Sequence, residues 1–314
     1  MTRRRGWPDH PAIGELADGV RTRLGVSPNH ASFRVGALRT HLLTAVFAHA
    51  VAARLNTTAH VLLRCDDTDA RRTDPAHLPR LIDELTTVAA IPLVPNDAHA
   101  VPRQRRRQSR YRAALAALRE LGVTKSLGDV IHLDVAAADA VLRSRSDEQI
   151  ATMRARVING PGGQRSHPSA LVPLTRADGS ALWHLATVVD DLEFGINLVV
   201  RGTDKINALQ IQERLRALLA PGRTVVYLFL PRLVEEEGRP IRVAHLIETG
   251  VEPAALRWYL AEHYLAAGPP PRTFEALVSR LRPVLPRPRD SRLDLRRLAA
   301  LNRKMTAVLA GGSR

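Results

Sequence analysis

Residues 183–212 read WHLATVVDDLEFGINLVVRGTDKINALQIQ, and the fold turns on this stretch. It reads as a helix ending near Gly195, a short apolar strand at Ile196–Val200, a polar turn, and a second helix from about Ala208. The strand shows no alternation of apolar and polar residues. That is the pattern of a strand covered on both faces, as in a parallel sheet flanked by helices. Arg201 follows at once, at the carboxyl end of the strand. Open parallel sheets bind ligands there, because the loops leaving those ends line a crevice. A guanidinium in such a crevice is a planar, permanently charged fork suited to a carboxylate or phosphate. A surface arginine that merely follows a strand is the plain alternative for this residue taken alone.

Upstream, Val20–Val26 reads as a strand that leads through a loop containing Pro and Asn into a long helix over Val35–Arg54. Ala, Leu and Val recur along that helix at helical spacing, so it is expected to pack on the sheet. A strand at His60–Arg64 completes a strand–helix–strand unit and ends in CDDTDARRTDP. The aspartates of this turn suit a metal site, a helix cap or a ligand-orienting cluster, with capping the simplest role for Asp69. Residues 75–91 read as helical. The run RQRRRQSRYRAALAALRELG then starts basic, continues as a helix, and closes at Gly122 as a C-cap. Its arginines Arg103, Arg105, Arg106, Arg107 and Arg110 are either a solvated helix start or contacts to phosphates. Periodicity weakens between Val123 and Ala181, where NGPGG stands at 159–163 and strands are expected at Val130–Val135 and Leu171–Thr175. Downstream come a strand at Val225–Leu230, the turn EEEGRP, and a mainly helical segment from Ala244 that prolines interrupt.

A chain of 314 residues is long enough for about two domains. With 45% hydrophobic and 25% charged residues it reads as soluble and globular. No uninterrupted apolar run reaches the ~18 residues of a membrane span, and the basic amino terminus is not followed by an apolar core of the kind a secretory signal needs. A cytoplasmic location is expected. The one cysteine, Cys65, excludes an internal disulfide and a multi-cysteine zinc site. The net charge of +15, from 46 Lys and Arg against 31 Asp and Glu, favours polyanionic partners. Aromatic residues are only 4%, which argues against a binder that stacks single-stranded bases.

Taken together, these segments resemble the catalytic half of a glutamyl-tRNA synthetase, a class I aminoacyl-tRNA synthetase, from about Arg23 to Asn302. RLGVSPNHA is similar to the opening Arg…Ser-Pro-Thr-Gly motif of that family, and RCDDTDARRT to its Arg-Ile-Glu-Asp-Thr-Asp segment. RQRRRQSRYRAALAALRELG resembles the helix before its insertion. ADGSALWHLATVVDDLEFGINLVVRGTD matches a pattern that spans almost thirty residues and is the most specific piece. RLDLRRLAALN resembles the helix that ends the catalytic portion. The chain stops where the anticodon-binding domain of the family would begin, as in the glutamyl-queuosine tRNA-Asp synthetases.

The resemblance implies an α/β fold, a Rossmann-like parallel sheet with a small insertion and a C-terminal helical appendage. The expected division is an extension over 1–19, a catalytic domain over 20–110 and 184–240, an inserted acceptor-binding-like subdomain over 111–183, and a helical stem-contact-like region over 241–314. It also implies an acidic-amino-acid pocket, with Arg23 and Arg201 holding a side-chain carboxylate, Ser27 lining the pocket, and Asp66 contacting the substrate ammonium. Trp183 stands where the family has tyrosine, and Thr187 where it often has asparagine. The implied partners are tRNA and glutamate or a glutamyl-like small molecule.

The nucleotide motifs depart from the family. Arg34 replaces the first histidine of the class I signature turn, and His30 lies nearby in the loop. RPIRVAH at 239–245 replaces the second motif, with Arg239 and Arg242 as cations and Val243 at the lysine position. ATP with magnesium is implied by the family, with Arg34, Arg239 and Arg242 as the candidate catalytic residues, and zinc is not. Three readings follow. The first is a protein repurposed for non-standard aminoacyl or glutamyl transfer. The second is a working ATP-dependent glutamate-tRNA or glutamyl-queuosine ligase. The third is a non-catalytic protein that binds tRNA or a partner.

Overall fold

The computed structural model describes residues 6–95, 97–145, 156–158, 169–235, 240–285 and 289–311. Strand β1 (Val20–Val26) is followed by helix α1 (Val35–Leu55) and strand β2 (Ala59–Cys65), which lies parallel to β1. Helices α2 (Leu78–Asp83) and α3 (Gln108–Glu120) come next, then the antiparallel pair β3 (Thr124–Leu127) and β4 (Val130–Asp134), and helix α4 (Val135–Arg145). The short strand β5 (Val157–Ile158) precedes β6 (Leu171–Pro173), which pairs with β4. The decisive stretch folds as helix α5 (Trp183–Glu193), strand β7 (Leu198–Gly202) and helix α6 (Ile206–Leu219). Strand β8 (Val226–Leu230) and the short β9 (Leu233–Val234) then lead to α7 (Val243–Glu248), α8 (Pro253–Ala261) and α9 (Phe274–Ser279). The two-residue strand β10 (Ser291–Arg292) and helix α10 (Leu295–Gly311) complete the described chain.

The central sheet is parallel and is built in two halves. One half is β1 with β2, and the other runs β7, β8, β5. Asn197 joins them where β1 and β7 meet. Its backbone N–H donates to Arg21 O at 3.0 Å, its side-chain oxygen accepts from Arg21 N at 2.8 Å, and its side-chain nitrogen donates to Gly19 O at 2.8 Å. An amide side chain thus supplies the bonds that a neighbouring strand would supply, and the unpaired backbone groups of β1 are satisfied.

Strand period sends alternate residues to opposite faces. Val20, Leu24 and Val26 of β1, Val61, Leu63 and Cys65 of β2, Leu198 and Val200 of β7, and Val226, Leu228 and Leu230 of β8 enter one core with α1. Val199, Tyr227 and Phe229 enter another with Leu209 of α6. The unalternating strand read from the sequence is therefore covered on both sides.

Helix α1 is long and apolar enough, by composition, to cross a membrane, yet most of its surface is buried within the fold. Its sheet-facing side packs on β1, β2 and β7, while α8 and α9 cover its outer side. A helix enclosed by two layers is apolar all round.

Residues 1–19 were expected as an extension, but within its described part Trp7, Ile13 and Leu16 are buried in the main core, and the Trp7 indole N–H donates to Arg282 O at 2.9 Å. Burying three large apolar side chains fixes that segment to the fold. The 111–183 segment was expected as an inserted subdomain, and within it β5 returns to pair in parallel with β8 of the central sheet. Its second core, formed by residues such as Tyr111, Leu133 and Leu142, is completed by Leu185 of α5 and Leu215 of α6. The Gly-rich 159–163 lies outside the described residues.

Candidate functional site

The face of the sheet opposite α1 carries an unusual row of charge. Arg23 of β1, Arg64 of β2 and Arg201 of β7 all alternate with the core residues of their strands, towards the carboxyl ends. Gly25, beside Arg64 in register, leaves room between them. A side chain there would place its Cβ 2.5 Å from Asp66 Oδ2.

Helix α5 brings the counter-charges. Arg23 makes a two-pronged ion pair with Asp191, at 3.1 and 3.2 Å. Arg64, only 1% exposed, donates to both oxygens of Asp66, at 2.6 and 3.1 Å, and to Asp191 at 3.0 Å. Asp190 is fully buried and accepts from Arg107 at 2.8 Å, Gln104 at 3.0 Å and the Tyr111 hydroxyl at 3.0 Å. Burial raises the Asp190 carboxyl above the usual range, with the Arg64 and Arg107 charges acting against it. Buried charges persist only when paired and hydrogen-bonded, and this network meets that condition.

Arg201 is the exception. It is 6% exposed, and its one recorded hydrogen bond runs from Nη1 to the neutral Oε1 of Gln212 at 2.7 Å. The guanidinium stands 5.4 Å from the centre of the Tyr227 ring. Its Nε finds no partner among the described residues, nor do the buried Nε2 of Gln212, Oγ1 of Thr187 and Nδ1 of His184. The nearby acids are committed elsewhere: Asp191 to Arg23 and Arg64, and Glu213 to Arg216 and the Tyr227 hydroxyl. Burial, aided by the Arg23 charge, pushes Arg201 down to about 10, still a cation at neutral pH.

Arg23, Arg64, Asp66 and Arg201 line a cleft of about 740 Å³. Trp183 and Arg34 share it with them. Ser27, which is exposed, and Thr187 are not part of the lining. Ser27 Oγ donates to Asp66 O at 3.0 Å, and Thr187 is buried. Among the lining residues given no role from the sequence are Arg64, His41 and Arg232. Arg64 opens the RCDDTDARRT match but was given no role in the pocket. His41 shares one face of α1 with Ala37, Thr40 and Thr44, and burial brings its imidazole down to about 4. Arg232 pairs with Asp290 at the rim.

The segments expected to handle nucleotide are tied to each other. Val35 N–H donates to Ile241 O and Val243 N–H to Phe33 O, at 3.2 and 3.0 Å, so Arg34 and Arg242 are backbone partners. Glu84, a buried carboxylate, accepts the Phe33 N–H at 2.8 Å. Arg242, expected as a catalytic cation, donates to Ser32 O at 3.0 Å and is not part of the cleft lining. Burial and the Arg34 charge hold it below the ordinary arginine range. Val243 is 0% exposed in the main core. His30 is exposed and outside the cleft. Arg239 lies outside the described residues.

The acidic turn after β2 is divided among local tasks. Asp66 holds Arg64, Asp67 accepts Arg105 N–H at 2.8 Å, and Asp69 accepts Arg71 N–H at 3.1 Å. Of the basic run, Arg105, Arg106 and Arg110 are exposed and Arg103 is half-buried. Arg107 departs from the expected phosphate contact, because it pairs with Asp190 and Glu193 and stacks 4.6 Å over Phe194.

No protein-family model matches the chain. It is 28% identical over 267 residues to a glutamate–tRNA ligase of Frankia alni, covering 78% of this chain and 53% of that protein. It is 45% identical over 76 residues to a glutamyl-Q tRNA(Asp) synthetase of Prochlorococcus marinus, covering 24% of each. A crystal structure of a glutamate tRNA ligase from Elizabethkingia meningosepticum, in complex with its amino acid, superposes over 92% of this chain and 70% of its own, with a TM-score of 0.65 at 14% identity. The chain is a relative of the glutamyl-tRNA synthetases. It spans about half the length of the Frankia relative. The class I synthetase fold read from the sequence is the fold observed, with the parallel sheet carrying the arginine row at its carboxyl end.

Proposed function

We propose that this glutamyl-tRNA synthetase relative binds glutamate or a glutamyl group in the cleft and transfers it in a reaction involving tRNA. The observation that carries the proposal is Arg201, a buried cation that faces the cleft without a carboxylate partner. A ligand carboxylate would neutralise it, and the unpaired Nε would complete a two-pronged contact. Arg23, already paired with Asp191, contributes field rather than a free fork. Asp66 is positioned by Arg64 to receive a substrate ammonium.

In this reading the transfer starts from a pre-formed aminoacyl ester. Its support is that Val243 is a core residue and that Arg242 is spent on Ser32, which leaves the described part of the second motif without a cation in the cleft. Loss of one preorganised donor to a developing negative charge costs about 3–4 kcal/mol in a transition state. Slow activation of glutamate by ATP follows. The reading is of a cytoplasmic protein, with the exposed Arg105, Arg106 and Arg110 meeting tRNA phosphates.

A second reading, ATP-dependent ligation to tRNA, is favoured by the cations around the cleft, Arg34, Lys205 and Arg232. Glutamate-dependent exchange of pyrophosphate into ATP separates the two: robust exchange establishes the ligase and overturns acyl transfer. Gel shifts with glutamylated and uncharged tRNA complete the test. Preference for the glutamylated form supports transfer, and equal binding contradicts it.

A further inference from the structure

On the far side of Leu233 from the cleft lies a second pocket, of about 280 Å³, between α1, α8 and the β9–β10 pair. Arg39 of α1 forms part of its wall and is 5% exposed. Its guanidinium makes two recorded hydrogen bonds, to Ser291 Oγ at 3.3 Å and Tyr264 Oη at 3.2 Å, and lies 5.5 Å from the centre of the Tyr264 ring. Both partners are neutral. Arg292, on β10, adds an exposed cation with no ion pair among the described residues.

Two of the three acids around this pocket, Glu262 and Asp290, are held in ion pairs with arginines, while Asp294 in its wall accepts a backbone N–H. Glu262 Oε2 accepts Arg297 Nε and Nη2 at 3.0 and 2.8 Å. Asp290 accepts three bonds from Arg232, at 2.6 to 2.8 Å. Asp294 accepts the Arg297 backbone N–H at 2.9 Å at the start of α10. A buried guanidinium without a carboxylate is costly to keep. Here it faces a space large enough for an anion, with a hydroxyl and a second guanidinium in the same wall. The lining carries three guanidinium groups, of Arg39, Arg292 and Arg297, against the carboxylates of Glu262 and Asp294, and an excess of guanidinium donors is the chemistry that recognises a tetrahedral oxyanion.

We infer that the pocket bounded by Arg39, Ser291 and Arg292 is a phosphoryl-binding site, separate from the acidic-amino-acid cleft. The phosphoryl group belongs either to a small phosphorylated molecule or to an RNA backbone, and both present the same oxygens to the two arginines. The site does not depend on the reading of the cleft, since no residue that holds the anion belongs to that cleft.

The test titrates inorganic phosphate, by calorimetry, into the wild-type protein and the variants Arg292→Glu, Ser291→Ala and Arg201→Met. Arg292 is exposed, so its replacement leaves the fold intact. Arg292→Glu is expected to weaken phosphate binding by roughly tenfold or more, as for loss of a charge-assisted bond, and Ser291→Ala to weaken it less. Arg201→Met is expected to leave this binding unchanged. Absence of saturable binding at millimolar phosphate, or equal affinity of wild type and Arg292→Glu, overturns the site. Loss of the binding in Arg201→Met also overturns it, by assigning the phosphate to the cleft. A parallel titration with a short single-stranded RNA separates the sources. A matching loss of RNA affinity in Arg292→Glu supports a backbone phosphate, and unchanged RNA affinity beside weakened phosphate binding supports a small molecule.

Discussion

Arg201 Nη1 donates to Gln212 Oε1 at 2.7 Å, and this neutral oxygen is the recorded hydrogen-bond partner of a buried guanidinium. Throughout the rest of the row, positive charge is answered by carboxylate. Here it is answered by an amide, a ring face and an open cleft.

That arrangement trades stability for recognition. Arg201→Met retains much of the side-chain volume and removes an uncompensated buried charge, so it should raise the unfolding free energy of the ligand-free protein by about 1 kcal/mol or more. Urea unfolding monitored by circular dichroism measures this. A loss of stability would mean that Arg201 has an internal counter-charge.

Asp191 has the opposite character. It holds both Arg23 and Arg64, so Asp191→Asn should leave two buried guanidinium groups short of charge. A loss of about 3 kcal/mol is expected, at the lower end for a broken buried pair because Asp191 keeps some access to the cleft. The midpoint of urea unfolding reports it. A change within about 0.5 kcal/mol, the scale of a surface substitution, contradicts the network.

Gly25→Ala tests the close approach of Asp66. The added methyl cannot coexist with Asp66 Oδ2 at 2.5 Å. The Asp66 carboxylate must leave Arg64, at a cost of about 1–3 kcal/mol for overpacking, and ligand affinity should fall more than stability does. Calorimetry and unfolding on the same variant compare the two.

His184 supplies a pH dependence. Burial, with help from the Arg201 and Lys205 charges, lowers its imidazole from 6.5 to about 4. The unfolded chain takes up this proton as pH falls through 6.5, while the folded protein does so only near 4, so stability declines across that window by at most about 3 kcal/mol. His41 contributes with the same sign. Glu84 and Asp190, both raised by burial, act in the opposite sense. His184→Gln should therefore flatten the profile between pH 6.5 and 4 relative to wild type. An unaltered slope refutes the assignment.

The RNA-facing reading divides the basic run. Replacing Arg105 or Arg106 with Gln should lower the slope of log affinity against log salt by about 0.7–0.9 per lost phosphate contact. Arg107→Gln should instead destabilise the fold, because its partners Asp190 and Glu193 are internal. Filter binding across a salt series measures the slopes, and identical slopes for all variants return the run to a solvated surface.

The sheet was legible because strand period and apolar run length are local properties. Val20–Val26 and the helix beginning at Val35 needed no tertiary information. Arg201 was legible because it ends an apolar strand at the edge where parallel sheets bind ligands. Its lack of a partner was not, since that depends on where Asp191 and Glu213 spend their charge, at contacts fixed only by the folded chain. The same holds for Arg107, which looks like its neighbours in a basic run and differs only because α5 places Asp190 beside it. Trp7 and Leu16 sit in a polar, Pro-containing stretch, and only packing against the core distinguishes that stretch from a tail.

The central claim is that Arg201 reads an acidic side chain in the cleft. The most direct measurement is calorimetric titration of L-glutamate and L-glutamine into the wild-type protein and Arg201→Met. A site built on a buried charged donor rejects an analogue that leaves it unpaired by up to about 10⁴-fold. The account predicts a clear preference of the wild type for glutamate and its disappearance in Arg201→Met. Equal affinity of the wild type for the two amino acids, or a preference that survives the loss of Arg201, would contradict it.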